Sequence, residues 1–248
     1  MLVVGNWKMN TTQTEAVALA ADVARGVAET AVGVGVCPPF VWLEAVRERI
    51  DGSPVRLGAQ NVATDDSGAF TGEVSALMLA DLGCTYAIVG HSERRAIYGE
   101  TDATVATKAV RALTHGLVPI VCVGETLEER NAGRVEAVVT GQLSGSLVGL
   151  EDASRLAIAY EPVWAIGTGE TATPEQARET HALIRGWLRD RFGEAGTEVP
   201  ILYGGSVKPA NADDLFSQPD VDGGLVGGAS LDAGSFVEIV RAAERARG

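Results

Sequence analysis

One carboxylate stands out in the stretch Ala159-Tyr160-Glu161-Pro162-Val163-Trp164-Ala165-Ile166-Gly167-Thr168-Gly169. Glu161 ends an apolar, strand-like run. A rigid proline follows, then a short apolar segment, then Gly167 and Gly169. A lone carboxylate beside a core is costly unless its charge is used. The apolar cover is expected to raise its pKa and exclude water, which makes it a candidate base under a movable lid. The alternative fate of a Glu here is a surface carboxylate at the start of a loop. Pro162 and the glycines favour the base.

Three further segments carry groups that would serve such a base. Gly90-His91-Ser92-Glu93-Arg94-Arg95 follows another apolar run, with Ser92-Glu93 opening a helical turn. A His at a helix N-terminus has its charged form disfavoured, so His91 is expected to be a neutral imidazole that can polarise a carbonyl. Asn6-Trp7-Lys8 ends the first apolar run, and a Lys there supplies a fixed positive charge. Gly204-Gly205-Ser206 and Gly227-Gly228-Ala229 close two later runs, where amides can approach phosphate oxygens closely. His115 and His181 fall within helical stretches and read as structural or surface residues.

These groups need elements to hold them. Short apolar runs recur at roughly 30-residue intervals, the length of a strand plus its crossover helix. They are Leu2–Asn6, Val34–Cys37, Val55–Gln60, Tyr86–Val89, Val118–Val123, Leu156–Tyr160, Pro200–Tyr203 and Gly223–Val226. Continuous rather than alternating apolar runs mark strands covered on both faces, hence a parallel sheet. Amphipathic stretches lie between them: Thr14 to Ala28 with Thr14 as cap, Thr101 to Gly116, Pro174 to Phe192 behind the cap Thr173, and Ser235 to Arg247. Eight such units without a linker predict an α/β fold, a single (β/α)8 TIM barrel filling residues 1–248 as one domain. A doubly wound open sheet is the runner-up. In a barrel the functional groups belong at the C-terminal strand ends, where Asn6, Lys8, Gln60, Asn61, His91, Glu93, Glu125, Glu161 and Ser206 would stand.

Composition bounds the partners. The 248 residues carry a formal net charge of −13, which argues against nucleic acid and anionic membranes. The same charge poses a problem for an anionic substrate, whose site must be locally positive. The residues are 46% hydrophobic and the mean hydropathy is +0.12, as in a soluble globular chain. No apolar run reaches the roughly 18 residues of a spanning helix. The N-terminus has no basic region before its apolar residues and does not read as a signal peptide. Cys37, Cys84 and Cys122 lack CxxC spacing and are expected to be buried, reduced thiols of a cytoplasmic protein. No Walker A run, HExxH, dinucleotide fingerprint or metal-ligand spacing is present, so cofactor-free and metal-free proton transfer is expected.

Taken together, these segments resemble the triosephosphate isomerase family through nearly the whole chain. The resemblance is carried by Gly5-Asn6-Trp7-Lys8-Met9-Asn10, Gly68-Ala69-Phe70-Thr71-Gly72-Glu73, Gly90-His91-Ser92-Glu93-Arg94-Arg95, the Tyr160 to Gly169 segment, Tyr203-Gly204-Gly205-Ser206-Val207 and Gly227-Gly228-Ala229-Ser230-Leu231. It implies a cytoplasmic enzyme of glycolysis and gluconeogenesis that interconverts glyceraldehyde 3-phosphate and dihydroxyacetone phosphate. In the roles it implies, Glu161 moves the proton between carbons and His91 polarises the carbonyl and shuttles protons between oxygens. Lys8, held by Asn6 and near Glu93, stabilises the enediolate. Amides of Gly167, Ser206, Gly227 and Gly228 hold the phosphate. Val163 to Thr173, with Trp164, Ala165, Ile166, Gly167, Thr168 and Gly169, form the lid, latched by Tyr203 and Ser206. The resemblance also implies a homodimer made through the Gly68–Glu73 loop. A phosphate-binding lyase or aldolase with Lys8 as Schiff-base amine, and a non-enzymatic phosphate-binding protein, are the other readings.

Overall fold

Eight parallel strands pair in chain order, and the last returns to the first, Val3 opposite Gly224 and Val4 opposite Leu225. That closure excludes the open sheet. The computed structural model describes residues 1–166 and 171–247. The strands are β1 (Leu2–Asn6), β2 (Gly33–Cys37), β3 (Val55–Ala59), β4 (Tyr86–Val89), β5 (Val118–Val123), β6 (Ala157–Tyr160), β7 (Ile201–Tyr203) and β8 (Gly223–Val226). The helices around them are α1 (Gln13–Gly26), α2 (Leu43–Ile50), α3 (Ala76–Asp81), α4 (Ser92–Tyr98), α5 (Asp102–Thr114), α6 (Leu127–Asn131), α7 (Val135–Ser146), α8 (Pro174–Phe192), α9 (Glu194–Thr197), α10 (Pro209–Phe216) and α11 (Ala233–Arg247).

The continuous apolar runs are explained by two separate cores. Leu2, Val4, Ile88, Ile120, Cys122 and Leu202 pack together in the barrel lumen. Their neighbours along the same strands, such as Val3, Val89, Val121 and Ile201, pack against the helices in the second core. Side chains alternate between the two faces of each strand, and apart from the exposed Arg56 of β3 both faces are dry.

Local signals set the helix ends. Thr173 caps α8 by accepting the Gln176 N–H at 3.2 Å, Gln176 Oε1 takes the Thr173 N–H at 3.0 Å, and Pro174 fills the first turn. α1 departs from expectation: Thr12, not Thr14, is its cap. Thr12 has Glu15 three residues on, whose carboxylate accepts the Thr12 N–H at 2.7 Å, whereas Thr14 has Val17 there and sits inside the first turn.

His181 on α8 is fully buried and structural. It lies edge-on to Tyr160 of β6, 5.8 Å between centroids, and beside Tyr203 of β7. Its Nδ1 lies 2.9 Å from the Asp220 carbonyl, an acceptor, so Nδ1 carries the proton. Burial pushes its pKa down to about 4, against the favourable Asp220 carbonyl. The unfolded chain therefore takes up a proton that the folded chain refuses between about pH 6.5 and 4. Stability from this residue is complete above that window and falls as pH drops through it, by about 2–3 kcal/mol at pH 4. His181→Gln keeps a donor but cannot titrate. Its denaturant midpoint is expected to fall less steeply than wild type between pH 7 and 4.5; parallel slopes would remove His181 as the cause.

Candidate active site

The strand ends at one face of the barrel enclose a cavity of about 490 Å3. Asn6, Lys8, His91, Glu161, Ser206, Gly227 and Gly228 all line it. Glu93 adjoins it through its ion pair with Lys8.

Glu161 stands just beyond β6 and is 2% exposed. Its backbone N–H still donates to the Val123 carbonyl at 2.8 Å, so it belongs to the sheet edge rather than to a loose loop. Two glycines leave it room. A β-carbon at Gly124 would overlap the Glu161 carbonyl oxygen, and one at Gly204 would lie 2.9 Å from Glu161 Cγ. The carboxylate accepts the Ser92 N–H at 2.8 Å, and its other oxygen lies 2.9 Å from His91 Nε2. Burial raises the Glu161 pKa, but His91, the Ser92 amide and the more distant Lys8 together outweigh it and hold the carboxyl below its ordinary value. This reverses the rise expected from apolar cover alone. The cover is present; the donors aimed at the carboxylate decide the sign.

His91 is the N-cap of α4, and its Nδ1 accepts the Glu93 N–H at 3.2 Å. The single proton of a neutral ring therefore sits on Nε2 and points at Glu161. Burial lowers the pKa of His91, but the Glu161 carboxylate outweighs it and lifts the ring above its ordinary value. The helix N-terminus was expected to produce the opposite result. The rise depends on Glu161 resting against Nε2. The bond to Nδ1, which favours the neutral ring, remains when the carboxylate is elsewhere.

Lys8 has a left-handed backbone, φ 51°, which is uncommon for a residue with a side chain. It is held from both sides. Its N–H donates to Asn6 Oδ1 at 3.0 Å, and its carbonyl accepts from Gln60 Nε2 at 2.8 Å. Gln60 also donates to the Cys37 carbonyl at 2.8 Å, tying β2 to the Lys8 turn. The Lys8 ammonium meets Glu93 Oε1 at 2.6 Å. Gln60 was legible as a polar strand-end residue but not as the brace of Lys8.

The two glycine pairs differ in role. Gly227 and Gly228 open a 3-10 turn at Gly228–Leu231, whose first amides have no acceptor within the turn. The Ser230 hydroxyl donates to the Gly227 carbonyl at 2.7 Å. A β-carbon at Gly227 would come 3.5 Å from Lys8 Cε, so this turn and the ammonium are neighbours. Gly204 makes space for Glu161, and Gly205 for the Tyr203 hydroxyl, which a β-carbon there would overlap. The absence of side chains at 204 and 205 thus serves packing first.

Of the lid segment, Val163–Ala165 form a 3-10 turn, and Ile166 lines the cavity. Gly167, Thr168 and Gly169 lie outside the described residues. The Trp164 indole donates to Glu125 Oε1 at 2.9 Å, and the Arg130 guanidinium lies 5.2 Å from the centroid of its ring. The same oxygen accepts from Arg130 at 2.7 Å and from the Tyr160 hydroxyl at 3.1 Å. Sequence reasoning placed Glu125 at a strand end without a role; it anchors the Val163–Ala165 turn through Trp164. Among the described residues no three His, Cys, Asp or Glu side chains cluster to hold a metal ion.

A family profile described as Triosephosphate isomerase matches residues 1–243. A triosephosphate isomerase of Chlorobium phaeobacteroides (strain DSM 266) is 55% identical over 245 residues, 98% of each chain. One of Herminiimonas arsenicoxydans is 52% identical over 244 residues, again 98% of each chain. The crystal structure of triosephosphate isomerase from Bartonella henselae superposes with a TM-score of 0.91 at 42% identity, covering 98% of both chains. By sequence, barrel and coverage, the chain belongs to the triosephosphate isomerase family, aldose–ketose isomerases that interconvert glyceraldehyde 3-phosphate and dihydroxyacetone phosphate.

Proposed function

We propose that isomerisation runs on Glu161, His91 and Lys8 with no cofactor or metal, in a single domain spanning the chain. The observation that carries this reading is one buried carboxylate bonded to an imidazole Nε2, in the same cavity as an ammonium and an amide-rich turn. The phosphate lies against amides of Ser206, Gly227, Gly228 and Gly167, with Lys8 alongside. Substrate binding draws Glu161 off the Ser92 amide and His91 Nε2. Without those donors the buried carboxylate regains basicity and takes the proton from the carbon beside the carbonyl. The Nε2–H of His91 then faces the substrate oxygens, polarises the carbonyl and passes a proton between them. Lys8 stabilises the enediolate, and its ion pair with Glu93 suits a fixed charge rather than a Schiff-base amine. Asn6 fixes the Lys8 backbone. The lid, beginning at Val163–Ile166 and latched by Tyr203 and Ser206, keeps water from the enediolate.

A homodimer is part of the proposal. Residues 67–73 are all exposed, and Phe70 stands out among them at 48%. Met9, beside Lys8, is 96% exposed, and Ile97 and Tyr98 at the end of α4 are 70% and 68% exposed. Exposed apolar groups of this size suit burial by a second copy. The buried free thiols Cys37, Cys84 and Cys122 support a cytoplasmic setting. No helix among the described residues is long and apolar enough to cross a membrane.

Glu161→Gln is expected to lower kcat by about 10²–10⁴-fold in a coupled isomerase assay while binding glycerol 3-phosphate nearly as wild type. Retained turnover would exclude Glu161 as the base. Phe70→Asp is expected to shift sedimentation toward monomer and to cut activity at least about tenfold at nanomolar protein, since desolvating a charge opposes docking. A dimer with unchanged activity would rule out the loop as the interface.

A further inference from the structure

The isomerase reading leaves a physical difficulty: a triose phosphate dianion must reach a protein of net charge −13. Among the described residues two cationic side chains line the cavity, Lys8 and Lys208. Lys8 is committed to Glu93 at 2.6 Å, so that pair is nearly neutral when seen from solvent. Lys208 is exposed, and no carboxylate among the described residues pairs with it. Among the described residues it is therefore the uncompensated positive charge at the cavity rim.

Its backbone position makes the choice of residue informative. Lys208 is the N-cap of α10. Five other helices are capped by hydroxyls that accept an amide, namely Thr12, Ser75, Thr101, Thr126 and Thr173, whereas Arg134 at the start of α7, like Lys208, makes no side-chain cap bond. A Lys side chain accepts nothing, and its charge opposes the positive end of the helix. Asn211 supplies only half of a capping box, its Oδ1 taking the Lys208 N–H at 2.7 Å. The Asn211 amide group also donates to the Ser206 carbonyl at 3.0 Å, which ties the Lys208 turn to Ser206. A cation thus stands where helix stability favours Ser or Thr, two residues from a proposed phosphate contact.

We propose that Lys208 is the electrostatic capture residue for the anionic substrate. It speeds productive encounter of the dianion with the cavity and takes no part in the proton transfers. A unit charge about 10 Å from a dianion in water changes the encounter population about fourfold, and salt removes the effect. The inference rests on the isomerase reading and fails separately from it.

The test is kcat and kcat/KM for wild type, Lys208→Gln and Lys208→Ser across ionic strength. At about 10 mM, both variants are expected to show kcat/KM lower by about fourfold, with kcat within about twofold of wild type. The gap is expected to close to under twofold at about 0.5 M salt, where charges are screened within a few ångströms. Lys208→Ser is also expected to melt about 2 °C higher, because a hydroxyl cap replaces a cation. Identical salt dependence in wild type and variants would overturn the proposal. So would a loss in kcat equal to the loss in kcat/KM, which would make Lys208 a transition-state contact instead. A wild-type enzyme without isomerase activity would sink the underlying reading, whereas an active enzyme indifferent to Lys208 would sink only this one.

Discussion

The structure turns on keeping one carboxylate charged in a place from which water has been removed. Glu161 is almost fully buried, and an unpaired charge there would cost several kcal/mol. The Ser92 amide and His91 Nε2 meet that cost. Both donors sit at the start of α4, so the barrel must hold the ends of β4 and β6 at a fixed separation. β5 lies between them and does so, pairing with each in register, Val121 opposite Val89 on one side and Ile158 on the other.

The same arrangement makes the Glu161 carboxylate and the His91 ring mutually dependent. While Glu161 rests on Nε2, each partner favours the charged form of the other, the carboxyl low and the ring high. A substrate that separates them weakens both effects at once. The strained Lys8 backbone is a second case of a functional group held by its surroundings, here by Asn6 and Gln60.

Much of this was legible from residues. All eight strands follow from continuous apolar runs, because a sheet covered on both faces leaves no polar period to confuse the pattern. Glu161, His91 and Lys8 stand out because each polar group directly follows such a run. What failed needed three dimensions. Gly204 reads from sequence as freeing amides for phosphate and Gly124 carries no sequence signal, and only the approach of the Glu161 side chain and backbone shows why neither can carry a β-carbon. The direction of the Glu161 pKa shift was misjudged because the sequence displays the apolar cover but not an amide and an imidazole aimed at one carboxylate. The first helix cap slipped by two residues because two threonines compete and only Thr12 has an acidic residue at the reciprocal position.

The two cores have an evolutionary corollary. Lumen and outer shell are packed as distinct clusters with the strand backbones between them. A volume change among the helices is absorbed on their own side and reaches the mouth of the cavity only through the strands. The shell can therefore drift, or be recoded by design, over many generations of neutral replacements, while the lumen keeps the geometry of its few polar tenants.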